Sequence, residues 1–166
     1  MRFQMPFRRI SSREAAAIRE APGSIGTQAA VFTDCVFDML HANHVALLEE
    51  ARGYGGRLVV GVVSDQNVLE YKRRPVMNEN ERLRVVSALG CVDEAFVIRA
   101  PLIASTMEEI IARHGIGAVV YAGDATPDFY RPAEALGIMH RLPYRAGINS
   151  SEIIGRILSR HRDGEF

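Results

Sequence analysis

The sequence predicts an α/β fold: a mostly parallel five-stranded sheet with helices packed on both faces. Five short apolar segments alternate with segments whose apolar residues recur at helical spacing, which is typical of parallel strands joined by helical crossovers. The segment "RLVVGVV" (57–63) is apolar on both of its faces, as a strand covered from both sides must be. The 166 residues suit one domain with a substantial core.

The elements begin near residue 29, because residues 1–28 lack a core-forming pattern and end in the linker-like "APGSIGTQ". We expect an N-terminal arm and linker over 1–28 and the domain over 29–166. The predicted strands are "AAVFTDCVF", "RLVVGVV", "EAFVI", "IGAVVYAGD" and "GIMHRLP". The predicted helices are "NHVALLEEARGYGG", "NENERLRVVSALG" with Asn78 or Asn80 as cap, a capped "STMEEIIARHG", and an amphipathic "NSSEIIGRILSRH".

The composition excludes several classes of function. Lys plus Arg equals Asp plus Glu at 20 each, so no net charge attracts nucleic acid or anionic lipid. No apolar run approaches the roughly 20 residues of a membrane span, and the basic start lacks the apolar core of a signal peptide. Cys35 and Cys91 form no metal-binding spacing. We therefore expect a compact cytoplasmic protein.

The predicted sheet itself selects the positions where a ligand would bind. In open parallel sheets, ligands bind beyond the carboxyl ends of the strands, where the strand order reverses. That rule points to the turn after the first strand (35–44), the residues from Ser64 onward, the acidic turn at Gly123 and Asp124, and the start of the last helix (149–151).

Two histidines, His41 and His44, stand three residues apart at the first of these positions. This spacing puts both imidazoles on one face of a helix, where they can donate to a phosphate oxygen alongside the N–H groups of the helix N-terminus. Alone, such a pair is more often two solvated histidines or half of a metal site, and the H-E-x-x-H pattern of zinc proteases is absent. Their place between a strand and a helix favours a ligand-binding role.

Other polar segments fall at the same predicted edge. Lys72 and the two arginines that follow it form a cationic loop that either clamps a polyphosphate or is a solvated charge run. Ser150 or Ser151 suits an N-cap, and the same helix start suits phosphate binding. Asp124 either closes a turn or accepts from the amino group of a base.

Taken together, these segments resemble the nucleotidyltransferases with the H-x-G-H signature. Within that family the chain is similar to the cytidylyltransferases that act on choline phosphate, ethanolamine phosphate and glycerol 3-phosphate. The resemblance rests on "FDMLHANH", "LVVGVVSD", "YKRRPVMNENER", "VDEAFV", "AP", "YAGD" and "GINSSEIIGRI", in family order and spacing over about residues 30–160. It implies a Rossmann-like sheet, a homodimer, and magnesium-dependent transfer of CMP from CTP to a phosphate-bearing acceptor.

The resemblance also implies roles for individual residues. His41, His44 and Lys72 match the catalytic positions, with Lys72 bridging nucleotide and acceptor phosphates. Mg²⁺ would be carried mainly by the triphosphate, so we expect no protein metal ligand. The matched nucleotide-binding residues are Val36, Phe37, Gly123, Asp124, Tyr144, Arg145, Ile148, Asn149, Ser150 and Ser151.

The acceptor pocket predicted from the resemblance contains Lys72, Leu102 and Tyr130. In the choline-phosphate enzymes a tryptophan follows the Ala-Pro dipeptide; here Leu102 follows it, and the chain has no tryptophan. Quaternary ammonium groups are best held by aromatic faces. We therefore predict glycerol phosphate, ethanolamine phosphate or a small hydroxyalkyl phosphonate as acceptor, with choline phosphate a poor substrate.

Three positions depart from the family pattern. Asn43 replaces the glycine between the signature histidines, Cys35 replaces the glycine that opens the Phe-Asp turn, and Tyr144-Arg145 replaces the usual Arg-Thr. Two alternatives follow: an adenylyltransferase that uses ATP on the same fold, and a catalytically weak nucleotide-binding regulatory subunit. The retention of both histidines and the lysine favours the enzyme.

Overall fold

The computed structural model describes residues 29–123 and 127–166 of the chain. Its five strands form one sheet of order β3-β2-β1-β4-β5, in which every neighbouring pair is parallel. The predicted "mostly parallel" sheet is thus wholly parallel. The predicted arm over 1–28 and the predicted role of Asp124 lie outside the described residues. The strands are β1 (Ala30–Cys35), β2 (Arg57–Val63), β3 (Glu94–Ile98), β4 (Ile116–Ala122) and β5 (Met139–Leu142).

All four predicted helices are present, together with short elements that the sequence analysis did not predict. The long helices are α1 (Ala42–Arg52), α3 (Glu79–Ser87), α4 (Ala104–His114) and α6 (Ser150–Arg162). The additional elements are α2 (Asp65–Leu69), a 3₁₀ turn (Asp128–Tyr130) and α5 (Arg131–Ala135). No helix within the described ranges is both long enough and apolar enough to cross a bilayer.

Two of the predicted helix caps are wrong. Asn149 caps α6 by accepting from the Glu152 amide at 2.9 Å, so Ser150 and Ser151 are the first helical residues rather than the cap. Helix α4 begins after Ile103 and has no side-chain cap. In α3, Asn78 rather than Asn80 is the cap.

Alternation along the central strands divides the core into two layers, one on each face of the sheet. Val31 and Val60 pack with α1 and α3, whereas Phe32 and Val59 pack with α4 and the 128–135 segment. The prediction of helices on both faces is therefore confirmed. Helix α6 contributes no buried residue to either layer.

Strand β1 lies at the centre of the sheet, between β2 and β4. The chain builds outward from β1 through β2 to β3, and then crosses to the other side for β4 and β5. The strand order therefore reverses between β1 and β4, and the turns after these two strands flank the crevice that parallel sheets use for ligands.

Candidate active site

The turn between β1 and α1 has an unusual backbone. Phe37 and Met39 adopt φ angles of 54° and 51°, in the left-handed region that residues with side chains rarely occupy. Phe37 is nevertheless buried, as is Val36 before it. Strain of this kind is held in place by its surroundings and concentrates at functional sites.

His41 and His44 lie directly after this turn. His41 is the N-cap residue of α1 and His44 is its third helical residue. Their rings stack with centroids 3.7 Å apart, and the Phe37 ring lies edge-on to His44 at 5.3 Å. The two imidazoles share one face of the helix start, as their spacing predicts.

Their environment fixes the protonation of His44. The backbone N–H of His41 donates to His44 Nδ1 at 3.4 Å, so the proton of the neutral ring resides on Nε2. Burial, and then the neighbouring His41, lower the pKa of His44 to about 3. His44 is thus neutral near pH 7 and carries an Nε2–H donor.

His41 differs from its neighbour in lacking a partner for one ring nitrogen. Its Nδ1 is buried, and no atom of the described part of the chain hydrogen-bonds to it. Burial lowers the pKa of His41, while the carboxylate of Glu152 on α6 acts in the opposite direction. A buried nitrogen without a hydrogen-bond partner is costly unless a ligand supplies that partner.

Asp38 fastens the cationic loop that begins at Lys72 to the turn between β1 and α1 (36–41), which we call the signature turn. Its carboxylate, only 4% exposed, accepts from the amides of Val76 and Met77 at 3.0 Å and from Arg73 Nη1 at 3.4 Å. Lys72 in the same loop is exposed, and its charge helps to lower the pKa of His44. The loop therefore presents Lys72 near the histidines, while Arg73 is engaged by Asp38.

Arg82 is a second buried link, and its side chain is fully excluded from solvent. Its guanidinium donates to the carbonyl of Val36 at 2.5 Å, to the carbonyl of Met77 at 3.0 Å and to Asp65 Oδ1 at 2.6 Å. Neither Arg82 nor Asp38 was predicted from the sequence as a site residue. The available signals were the position of Arg82 one helical turn before the buried Val86, and an acid directly after the first strand.

The segment 143–149 approaches the same helix from the other side. Asn43 Nδ2 donates to the carbonyls of Arg145 and Ile148 at 2.9 and 2.8 Å. The guanidinium of Arg145 is paired with Glu50 of α1 rather than free. Ser150 Oγ donates to the carbonyl of Asp38 at 2.8 Å, which joins the start of α6 to the signature turn. The predicted residues Tyr144 and Ser151 are exposed here.

The carboxyl end of β1 contacts the remaining predicted residues. Tyr130 is 5% exposed and donates its hydroxyl to Asp34 Oδ1 at 2.8 Å. Burial raises the pKa of Asp34 to about 7. At Gly123 a Cβ would lie 2.6 Å from the Tyr121 hydroxyl, so a side chain at this position would have to displace the Tyr121 ring. The structure thus leaves Tyr130 enclosed.

Leu102 packs against two apolar clusters, one of which contains Tyr130. It is half-buried against the apolar cluster of Val36, Val63 and Val68. That contact places Leu102 beside the ends of β1 and β2, next to the signature turn.

Within residues 29–123 and 127–166, no group of three or more His, Cys, Asp or Glu side chains is arranged to hold a metal ion.

A parallel Rossmann-like sheet that carries a stacked histidine pair at its crevice is the architecture of a nucleotidyltransferase domain. Residues 32–156 match the family model described as cytidylyltransferase-like, and the chain belongs to that family.

Relatives with established names match most of the chain. It is 32% identical over 145 residues to a probable ethanolamine-phosphate cytidylyltransferase of Encephalitozoon cuniculi, covering 81% of this chain and 44% of that one. It is 31% identical over 159 residues to the bifunctional protein HldE of Pelobacter propionicus, covering 92% and 32%. The chain thus spans less than half the length of these relatives.

Solved structures share the fold. The lipopolysaccharide core biosynthesis protein from Thermoplasma volcanium superposes with a TM-score of 0.57 at 25% identity, covering 73% of this chain and 98% of that one. A pantothenate synthetase from Thermus thermophilus, at 19% identity and a TM-score of 0.50, covers 80% of this chain and 61% of that one. The second similarity concerns the fold alone.

Proposed function

We propose that this cytidylyltransferase-like domain transfers CMP from CTP to a small phosphate- or phosphonate-bearing acceptor and releases pyrophosphate. The observation that carries the proposal is the stacked pair of His41 and His44 at the start of α1, in which His44 is neutral and donates through Nε2–H. The similarity to ethanolamine-phosphate cytidylyltransferases over this same region supports the choice of CTP.

In the proposed reaction, an oxyanion of the acceptor attacks the α-phosphorus in line. The new P–O bond forms as the bond from the α-phosphorus to the bridging oxygen breaks, and pyrophosphate leaves with that electron pair. Catalysis of this kind depends on positioning and charge stabilisation. His44 and His41 donate to the α-phosphate oxygens. Lys72 binds both the α-phosphate and the phosphate of the acceptor, and so holds them next to each other. Mg²⁺ bound to the triphosphate would neutralise part of its charge.

The start of α6 and Arg145 are the proposed partners of the β- and γ-phosphates. The first turn of α6 lies beside the signature turn through the bond from Ser150 to Asp38, so its N–H groups suit an anion. Arg145 pairs with Glu50 in the ligand-free protein. Phosphate binding by Arg145 therefore requires that it exchange a carboxylate for the triphosphate.

The surroundings of Leu102 and Tyr130 support a compact acceptor. Tyr130 is enclosed and its hydroxyl is already bonded to Asp34, so its ring is not presented as one wall of an aromatic cage. Leu102 offers an aliphatic surface beside Val36. Without aromatic faces a trimethylammonium group loses the cation–π attraction of about 0.5–2 kcal/mol per ring. We expect ethanolamine phosphate, glycerol phosphate or a hydroxyalkyl phosphonate to be preferred over choline phosphate.

Pyrophosphate release, measured with each nucleoside triphosphate against a panel of these four acceptors, tests the proposal. CTP should give the highest kcat/KM, and choline phosphate should be the poorest acceptor. Higher activity with ATP would identify an adenylyltransferase instead. Tight CTP binding without turnover on any acceptor would indicate a regulatory nucleotide-binding subunit.

We propose further that the protein acts in the cytoplasm as a homodimer. Helix α6 exposes Ile157 and Leu158 at 44% and 56%, and such apolar side chains suit contact with a second copy. Light scattering should give twice the 18.4 kDa mass of one chain; a monomer at micromolar concentration would contradict this.

A further inference from the structure

Asn43 makes a set of contacts that the glycine of the family signature cannot make. Its side-chain nitrogen donates to the carbonyls of Arg145 at 2.9 Å and Ile148 at 2.8 Å, with the carbonyl of Ala146 at 3.3 Å. Carbonyl oxygens only accept hydrogen bonds, so this side chain must present its NH₂ group, not its oxygen, to the segment. The two hydrogens of one amide therefore bind the carbonyls of Arg145 and Ile148, with the carbonyl of Ala146 as a longer, shared contact.

These contacts join two parts of the proposed nucleotide site. Asn43 lies between the two histidines, as the second residue of α1. The segment that it holds leads directly into Asn149, the cap of α6, and into Ser150, which bonds to the signature turn. Asn43 and Ser150 thus both link the region that leads into the last helix to the start of α1 and the turn before it.

Little else holds the 145–148 segment. Residues 143–147 are exposed, and Gly147, whose φ of 109° favours glycine, has no side chain that could pack against the domain. Within the described residues, a further link from this segment to α1 is the ion pair of Arg145 with Glu50, whose side chains are 51% and 26% exposed. Exposed pairs of this kind contribute little to order.

We propose that Asn43 is a positioning residue of the nucleotide site, which holds segment 145–148 against α1 before the nucleotide arrives. This inference rests on the proposed function in so far as the ligand is a nucleoside triphosphate. A preformed wall lowers the entropic cost of ordering the segment on binding. With glycine at position 43, the nucleotide itself would have to order the segment.

Hydrogen exchange in the ligand-free protein tests the contact without any assumption about function. Asn43→Gly should accelerate exchange of the Glu152 and Ile153 amides, which donate to Asn149 at the end of the segment, by roughly tenfold or more, because the segment that positions Asn149 loses two hydrogen bonds of about 1 kcal/mol each. Asn80→Gly is the matched control: Asn80 is the exposed second residue of α3, so it reports the cost of glycine at the same helical position. Unchanged exchange of the Glu152 and Ile153 amides in Asn43→Gly would overturn the proposal.

Nucleotide binding tests the positioning role. We expect Asn43→Gly to weaken CTP binding by roughly 5–30-fold with kcat at saturating CTP changed by less than about threefold. Asn43→Asp, which cannot donate to carbonyls, should weaken binding at least as much, and Asn43→Gln should recover part of it. Equal CTP affinity in wild type and Asn43→Gly would overturn the proposal, whereas a wild type that binds no CTP would overturn the proposed function.

Discussion

The signature turn and the 143–149 segment both approach the start of α1, but they are held there by different interactions. The turn is fixed by Asp38 and Arg82, which are 4% and 0% exposed. The segment is fixed by the amide of Asn43 and by the partly exposed pair of Arg145 and Glu50. A buried charge that loses its partners costs several kcal/mol, whereas an exposed pair contributes about 0–1 kcal/mol.

This difference separates two tasks within one site. The signature turn, with His41 and His44 after it, is held in one arrangement, because any other would leave the buried charges of Asp38 and Arg82 unpaired. Rigid placement of this kind suits transition-state stabilisation. The opposite side can change its contacts at small cost, which suits the exchange of Glu50 for a phosphate by Arg145.

Replacing the buried arginine should produce the largest loss of stability. Arg82→Met leaves the carbonyls of Val36 and Met77 and the carboxylate of Asp65 without their donor. We expect the free energy of unfolding to fall by roughly 3–5 kcal/mol. Urea denaturation measures it. Arg99→Met is the control, since Arg99 is 65% exposed in its pair with Glu79 and its loss should cost less than about 1 kcal/mol. Similar losses in both variants would remove the contrast.

Removing a histidine should affect turnover more than binding. His44→Ala eliminates the Nε2–H donor, and kcat should fall by roughly 10²–10³, as for a lost oxyanion-hole donor, with a much smaller change in CTP affinity. Steady-state kinetics and calorimetry separate the two effects. His140→Ala is the control, because His140 lies on β5 against Tyr54, outside the proposed site. Near-normal turnover in His44→Ala would show that the pair is not catalytic.

The free energy of unfolding should depend on pH through two buried groups, His44 and Asp34, whose contributions change in opposite directions. The folded pKa of His44, about 3, lies below the unfolded value of 6.5, so its contribution falls as pH drops from 6.5. The folded pKa of Asp34, about 7, lies above the unfolded value of 3.8, so its contribution falls as pH rises from 4 to 7.

Replacing Asp34 with a residue that does not titrate isolates the contribution of Asp34 to the pH dependence. Asp34→Asn retains an acceptor for Tyr130 but does not titrate, so its stability relative to wild type should rise by roughly 2–3 kcal/mol between pH 4 and pH 7. Urea midpoints at several pH values measure the difference. A constant difference across that range would show that Asp34 does not titrate in it.

The smallest effect should come from the exposed pair. Arg145→Ala and Glu50→Ala should each change the free energy of unfolding by less than about 1 kcal/mol. Their effects on CTP affinity should differ in sign: loss of Arg145 weakens binding, while loss of Glu50 frees Arg145 and strengthens it. A double-mutant cycle with CTP titration measures both. Equal weakening in the two variants would show that Arg145 acts only as the partner of Glu50.

Sequence reasoning succeeded where local pattern decides structure. "RLVVGVV" and "EAFVI" match β2 and β3 residue for residue. For β2 the reason is that a strand buried on both faces is a continuous apolar run. The spacing of His41 and His44 likewise predicted their stacking. Helices α2 and α5, of five residues each, are too short to show a helical period.

The missed features depend on contacts between distant parts of the chain. Asn43 and Ile148 are 105 residues apart, and Asp34 and Tyr130 are 96 apart, so no local period encodes either bond. Arg82 was missed for another reason, since charged residues are rarely fully buried. Only the tertiary structure shows the three acceptors that make its burial possible.

The central place of β1 has a consequence for how the chain can be divided. Residues up to β3 form one half and residues from α4 onward form the other, and the exposed Ile103 lies in the connection between them. The first half holds three strands and the second holds two, and the two halves meet along the ladder between β1 and β4. The histidines and Lys72 belong to the first half, while segment 145–150 belongs to the second. A backbone cut at this connection would yield two fragments that are each inert, so restored turnover would report their reassembly when fused partners bring them together.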